Sequence, residues 1–243
     1  MGLFVNELCK IRSSKSVKGV IIVFLCFVAL AGLIFGGGKS TSPVAVYGFG
    51  APFIWLSANG ASGFFLYAAI AAGMIAREFE LGVVHNALGS GVKRGRYFIT
   101  KVISVFGISV AIYLGCVVTL CIFKSWTAGF DPEGEIFPDY GWKVLLYSAG
   151  AIISILSYVA VFILIAYLLR NAVLTFIASV VLTLVEMLGG YKGPMMIAVE
   201  TIEFIETDDI LSWDFVNLFI PCIFILIISL AAAYVLFAVT DVD

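Results

Sequence analysis

Long apolar runs alternate with short polar connections along this chain. Six runs reach or approach the roughly 20 residues that a helix needs to cross a bilayer; they cover approximately 17–35, 57–76, 102–123, 144–169, 172–188 and 216–239. Charged residues make up 12% of the chain and hydrophobic residues 62%, whereas a soluble domain carries charge on about a quarter of its residues. The pattern predicts an all-α membrane protein, with residues 1–243 forming one transmembrane domain of six helices.

Charge is distributed unequally between the polar connections. Ten of the fourteen basic residues fall on one side of the predicted helices: Lys10, Arg12, Lys15, Lys18, Arg77, Lys93, Arg94, Arg96, Lys101 and Arg170. The opposite connections are acidic. The positive-inside rule places the basic side, with both termini, in the cytoplasm. Because topology already accounts for the basic residues, they do not indicate a nucleic-acid partner.

The segment before the first run is amphipathic over residues 3–15. One helical face carries Leu3, Phe4, Leu8 and Ile11, and the opposite face carries Asn6, Glu7 and Lys10. Such a helix is expected to lie in the headgroup region, with its apolar face towards the lipid. The alternative is a frayed tail whose basic residues serve only topology.

The polar connection between the second and third runs, residues 77–101, is longer than a reversal of chain direction requires. An acidic, amphipathic opening (Arg77, Glu78 and Glu80) leads through Gly82 to a turn of small residues at 89–91. A basic cluster follows, formed by Lys93, Arg94, Arg96 and Lys101. This pattern predicts a helix between two spans, and such a helix typically contacts another molecule.

The sequence carries no recognisable catalytic or metal-binding motif. The five cysteines form no CxxC or Cys/His spacing, and His85 is the single histidine. The sequence GKST at 38–41 has the core of a phosphate-binding loop, but Leu33 stands where the full motif requires glycine. The chain is therefore not expected to be an enzyme, and it offers no metal or nucleotide site.

Acidic residues of the outer side suggest a role in cargo access. Glu186 is the only acidic residue within the predicted spans. An ion-coupled transporter more often buries several acids, so this pattern favours energy supplied from outside the membrane domain. In the following loop Glu200, Glu203 and Glu206 recur every third residue among apolar side chains. That loop predicts a short helix that attracts cationic cargo at an outer gate, the alternative being a solvated acidic helix.

Together these features resemble the ABC-2 class of transporter permeases, in particular the short permeases of bacterial antibiotic-peptide, lantibiotic-immunity and drug exporters. After the second span the family carries an arginine–glutamate pair, an aromatic residue, an acid and a glycine. A leucine, a small-residue turn and a basic–aromatic step follow. The matching residues here are Arg77, Glu78, Phe79, Glu80, Gly82, Leu88, Ser90, Arg94, Tyr97 and Lys101.

The resemblance implies that the 77–101 connection is a coupling helix seated on a separate ABC ATPase. Phe79 and Leu81 are expected to fill an apolar groove of that ATPase. Glu78 and Glu80 are expected near the start of the helix, where its dipole favours acids, facing basic residues of the partner. Residues 77–82 and Leu88 form the predicted coupling site.

The resemblance also implies the composition of the working unit. Two permease chains, identical or different, would work with two ATPases in the lipid of a bacterial cell membrane. ATP and Mg²⁺ would bind on the ATPases, with no cofactor on this chain. The implied function is export of a peptide, antibiotic or other amphipathic molecule. The alternatives are a membrane immunity, binding or signalling protein without transport, and a secondary transporter.

Overall fold

The computed structural model describes residues 64–130, 136–189 and 213–239. The predicted interfacial helix 3–15, the first span at 17–35 and the acidic loop with Glu200, Glu203 and Glu206 lie outside these residues. Every described element is helical, and no strand occurs among the described residues. This agrees with an all-α membrane protein.

Six helices make up the described part of the chain. Helix α1 covers 64–80 and contains a π-helical turn, Ala72–Ala76, followed by the α-helical turn Arg77–Glu80. The others are α2 (Val83–Gly89), α3 (Arg94–Ala128), α4 (Ile136–Leu169), α5 (Ala172–Gly189) and α6 (Trp213–Val239).

Three of these helices contain a segment long and apolar enough to cross a membrane: Arg94–Trp126, Gly141–Leu169 and Phe219–Val239. Ala172–Glu186 of α5 is a shorter apolar segment. The predicted runs 102–123, 144–169, 172–188 and 216–239 each lie within an observed helix. Helices α3 and α4 begin before the predicted runs, at Arg94 and Ile136. Hydropathy detects only the apolar part of a helix, whereas backbone hydrogen bonding continues through the polar turns that precede it.

Helix α4 is the centre of the bundle, because it packs against α3, α5, α6 and the π-helical turn of α1. Its inward side chains include Tyr147, Ile155 and Phe162, all essentially inaccessible. Small side chains of α1 meet this core: Ala68, Ala72 and Ala76 are buried, as expected for residues that let helices approach closely in lipid. Two small residues of α3, Gly107 and Ala111, are also four residues apart, but they are exposed and not buried.

Contacts between helix ends show which elements share one end of the bundle. Arg94 at the start of α3 donates a hydrogen bond to the carbonyl of Ala238 near the end of α6, at 2.9 Å. Glu80 at the end of α1 accepts a hydrogen bond from the backbone N–H of Ala172, the first residue of α5. We call this end, formed by residues 77–101, 170–172 and 237–239, the basic end.

Cysteine labelling in intact cells tests which side of the membrane the basic end faces. In a cysteine-free background, a membrane-impermeant maleimide is expected to label Asp131→Cys from outside, because position 131 follows the far end of α3. Lys93→Cys, exposed at the basic end, should react only after the cells are permeabilised. Labelling of position 93 in intact cells without labelling of position 131 would reverse the orientation.

Candidate functional site

The 77–101 connection begins as a direct continuation of helix α1. Ala76 has helical backbone angles, and the Arg77 N–H donates to carbonyls of the π-helical turn. Glu78 and Glu80 lie in the first turn of the α-helical segment Arg77–Glu80, but this segment continues the π-helical turn, so no free helix N-terminus precedes them. No proline or glycine interrupts the chain between Gly73 and Gly82. The helix therefore continues until glycine ends it.

Gly82 ends α1 through a left-handed backbone conformation. Its φ is +65°, which side-chain-bearing residues adopt at a cost, and its N–H donates to the Phe79 carbonyl at 3.1 Å. The Leu81 N–H donates to the Arg77 carbonyl, also at 3.1 Å. Helix α2 starts directly after this two-residue turn. Gly82 therefore separates α1 from α2, a break that the sequence did not predict.

Helix α2 is amphipathic. Val84 is 1% exposed and anchors the inner face of α2, where Ala87 and Leu88 also contact the core. His85 and Asn86 point away from the bundle, next to Leu81, which is 64% exposed. We call Leu81, in the turn before α2, together with His85 and Asn86 the outer face of α2, because these three side chains lie on the side of α2 that faces away from the bundle. The structure therefore contains the predicted helix within the 77–101 connection, with one side fixed and one side accessible.

Glu78 is held by two side chains of α3. It accepts a hydrogen bond from the Tyr97 hydroxyl at 2.5 Å and forms an ion pair with the Lys101 ammonium at 2.6 Å. Lys101 is 1% exposed and Glu78 13%. A buried charge needs a partner, because an unpaired one carries a large desolvation penalty. This pair therefore fixes the end of α1 against the start of α3.

Phe79 and Glu80 hold the same turn of α1 against the α4–α5 connection. The Phe79 ring lies edge-on to Tyr167 at 5.6 Å between centroids, and the Arg170 guanidinium lies 5.3 Å from the Phe79 centroid. Glu80 Oε1 accepts the hydrogen bond of the Ala172 N–H at 2.8 Å. Phe79 belongs to an aromatic cluster at the basic end, whose other members are Tyr97, Phe98, Tyr167, Tyr234 and Phe237.

The predicted basic cluster is divided by the structure. Lys101 is buried in its ion pair, and Arg94 is hydrogen-bonded to α6. Lys93 and Arg96 are exposed and line a surface pocket of about 390 Å³ together with Ser90, Gly91 and Val92. Two of the four basic residues thus hold helices together, while the other two present positive charge to solvent beside α2.

Glu186 lies on the face of α5 that is buried against the bundle. It is 7% exposed, and its charge is close to Tyr158 of α4 and Cys222 of α6. The same face carries Thr175, Ser179 and Thr183, all buried. Their recurrence at every fourth residue is visible in the sequence and predicts one helical face, but sequence reasoning singled out only Glu186. Its predicted role at an outer gate stays a prediction.

Arg170 is the residue of this site whose role sequence reasoning missed. Its position between two spans indicated topology alone. The structure gives it a φ of +52°, unusual for a residue other than glycine, and places it over Phe79. No sequence signal links residues 79 and 170, which are distant along the chain. Among the described residues, no group of three or more His, Cys, Asp or Glu side chains could hold a metal ion.

Comparison with known proteins identifies the family. A family model described as ABC-2 family transporter protein matches residues 3–189, well over half of the chain. No curated protein and no solved structure matches the chain. The matched region includes α2, the polar connection around it and three of the helices that pack on α4. The chain therefore belongs to the ABC-2 transporter family and is a membrane-spanning permease.

Proposed function

We propose that the chain is the permease subunit of an ATP-driven exporter, and that a separate ABC ATPase docks on the outer face of α2. The observation that carries this proposal is the two-sided arrangement of α2. Val84 and Leu88 hold one side on the bundle, while Leu81, His85 and Asn86 remain accessible on the other. Membership of a family whose permeases work with ABC ATPases supports the same assignment.

The geometry is suited to transmitting force. Helix α1 continues into the last turn before α2, and only Leu81 and Gly82 separate the two helices. Glu78 and Phe79 fix that turn to α3 and α4. A displacement of α2 by an ATPase would therefore move packed helices, whereas a long flexible loop would absorb it.

The internal contacts assign different roles to the residues of the predicted coupling site. Leu81 is the apolar side chain available to a groove of the ATPase, with Arg77 exposed nearby. Glu78, Phe79 and Glu80 contact the chain's own helices, so in this proposal they position α2. Gly82 supplies the turn, and Leu88 supports α2 from the inside.

The complete unit in this proposal contains two permeases and two ATPases in a bacterial cell membrane, with both permease termini in the cytoplasm. ATP and Mg²⁺ bind on the ATPases, and this chain catalyses no reaction. The cargo is a peptide, an antibiotic or another amphipathic molecule, which passes the acidic outer side near Glu186. The second candidate function is a binding or immunity protein without transport. Such a protein would not need to bind an ATPase.

Shortening Leu81 to alanine is expected to weaken capture of the ATPase about tenfold. Burial of a leucine side chain contributes about 1.5–3 kcal/mol, and roughly 1.4 kcal/mol corresponds to a factor of ten in affinity. The measurement is titration of the partner ABC ATPase onto the chain in lipid nanodiscs. Leu145→Ala is the matched control, because Leu145 is 73% exposed and lies on α4 far from the basic end. Equal capture by the Leu81 variant and the unaltered chain would contradict docking on α2.

A further inference from the structure

The turn between α4 and α5 contains only Arg170 and Asn171. Asn171 Oδ1 accepts the N–H of Leu174 at 2.9 Å and thereby caps the start of α5. The Arg170 N–H donates to the Ala166 carbonyl at 3.0 Å and closes the end of α4. Both residues of the turn are thus fixed by helix-end hydrogen bonds. A displacement of this turn must therefore move α4 and α5 together.

Two contacts join this turn to the last turn of α1. Glu80 accepts the N–H of Ala172 at 2.8 Å, which places a carboxylate at the positive end of the α5 dipole. The Arg170 guanidinium lies 5.3 Å from the centroid of the Phe79 ring, within the range of a cation–π interaction. The two contacts act side by side, since Phe79 and Glu80 are consecutive. We call Phe79, Glu80, Arg170 and Ala172 the clasp.

The backbone of Arg170 has a left-handed conformation that is locally unfavourable for a residue with a side chain. A φ of +52° at the residue after a helix is the position that glycine usually occupies. Arginine adopts it at a conformational cost that glycine would avoid. The guanidinium over Phe79 is the contact that glycine could not make. The residue choice thus favours the contact with α1 over an unstrained turn.

We infer that the clasp makes the α4–α5 turn a second output of the coupling connection. A displacement of α2 then reaches α4 and α5 directly, in addition to α1 and α3. This inference rests on the proposed function, because it requires an ATPase that moves α2. Arg170 and Glu80 are positioning residues in it, since they act through the helices and contact no cargo.

Distance measurement between spin labels tests the inference without a known cargo. Labels are attached at Trp126→Cys and Leu188→Cys, which are 86% and 83% exposed and mark the far ends of α3 and α5. The background lacks the five native cysteines and must still capture the ATPase. The complex in nanodiscs is measured by pulsed electron paramagnetic resonance, with and without ATP and vanadate. In the chain with an unaltered clasp, the distance between the two labels should change when ATP and vanadate are added.

Three clasp variants and one control give the decisive comparison. R170G relieves the backbone conformation but removes the guanidinium, and E80A removes the acceptor for Ala172. In complexes that have captured the ATPase, each should reduce the distance change to less than half. E80Q keeps an oxygen acceptor and should retain most of the change. R96A removes an exposed positive charge at the same end and should retain all of it.

The possible results separate this inference from the proposed function. Failure of the unaltered chain to capture an ATPase would remove the proposed function, and the inference with it. Normal capture with no distance change in the unaltered chain would remove the inference alone. A full distance change in both R170G and E80A would also overturn it, because force would then reach α5 without the clasp.

Discussion

Replacing Lys101 with methionine is expected to lower the stability of the chain by about 3–5 kcal/mol, the usual cost of removing one partner of a buried ion pair. Methionine preserves the apolar stem of the side chain but removes its charge. The Glu78 carboxylate, which is 13% exposed in the unaltered chain, would then lose its ion pair and keep the hydrogen bond from the Tyr97 hydroxyl. The substitution should weaken mainly the contact between α1 and α3, and this contact positions α2.

The measurement is thermal unfolding of the detergent-solubilised chain, together with its level in the membrane. Lys93→Met is the matched control, because Lys93 is exposed at the same end and should tolerate the change. The double variant E78Q/K101M removes both charges and should recover part of the loss, since no unpaired carboxylate remains. A melting temperature for K101M equal to that of the unaltered chain would show that the pair does not stabilise the fold.

Replacing Gly150 with alanine should disturb the contact between α4 and α6. An added methyl group at Gly150 would lie 2.3 Å from Cζ and 2.7 Å from Cε1 of Phe219, a ring that is 8% exposed. Such distances require the ring or the helix to shift, and overpacking of this kind typically costs about 1–3 kcal/mol. Helix α6 should therefore pack less closely on the central helix.

Thermal unfolding also measures this effect, with Gly107→Ala as the control. A methyl group at Gly107 would meet nothing within 4 Å, and the residue is exposed, so that substitution should leave stability unchanged. The second-site change Phe219→Leu removes ring atoms and should restore part of the stability lost in G150A. Equal stability of the G150A and G107A variants would contradict close packing of α4 and α6 through Gly150.

Local sequence properties predicted the helices but not all of their ends. The apolar runs from residue 102 onwards coincide with observed helices, because spanning a bilayer requires a continuous apolar segment. The same criterion placed the start of α3 at 102, although the helix begins at Arg94. It also separated Glu78 and Glu80 from the preceding span, whereas α1 continues through them. Hydropathy measures lipid compatibility and does not detect where backbone hydrogen bonding stops.

Some features of the candidate site were likewise predictable from the sequence, and others were not. The amphipathic pattern of 77–101 predicted a helix, and the small residues at 89–91 predicted the turn that follows it, because these signals act over a few residues. The internal partners of Glu78, Phe79 and Glu80 were not predictable in the same way. The partners lie on α3, α4 and α5 or in the α4–α5 turn, and the contacts depend on the rotation and height of those helices in the bundle.

The sequence by itself determined that this is a helical membrane protein with an unequal distribution of charge and an amphipathic connection between two apolar runs. Composition, charge distribution and glycine positions carry that information locally. Only the tertiary structure decided that Lys101 is buried with Glu78, that Arg170 lies over Phe79, and that Leu81 is left exposed. These outcomes depend on helix packing, in which a side chain becomes a positioning contact or an accessible surface according to the neighbour that reaches it.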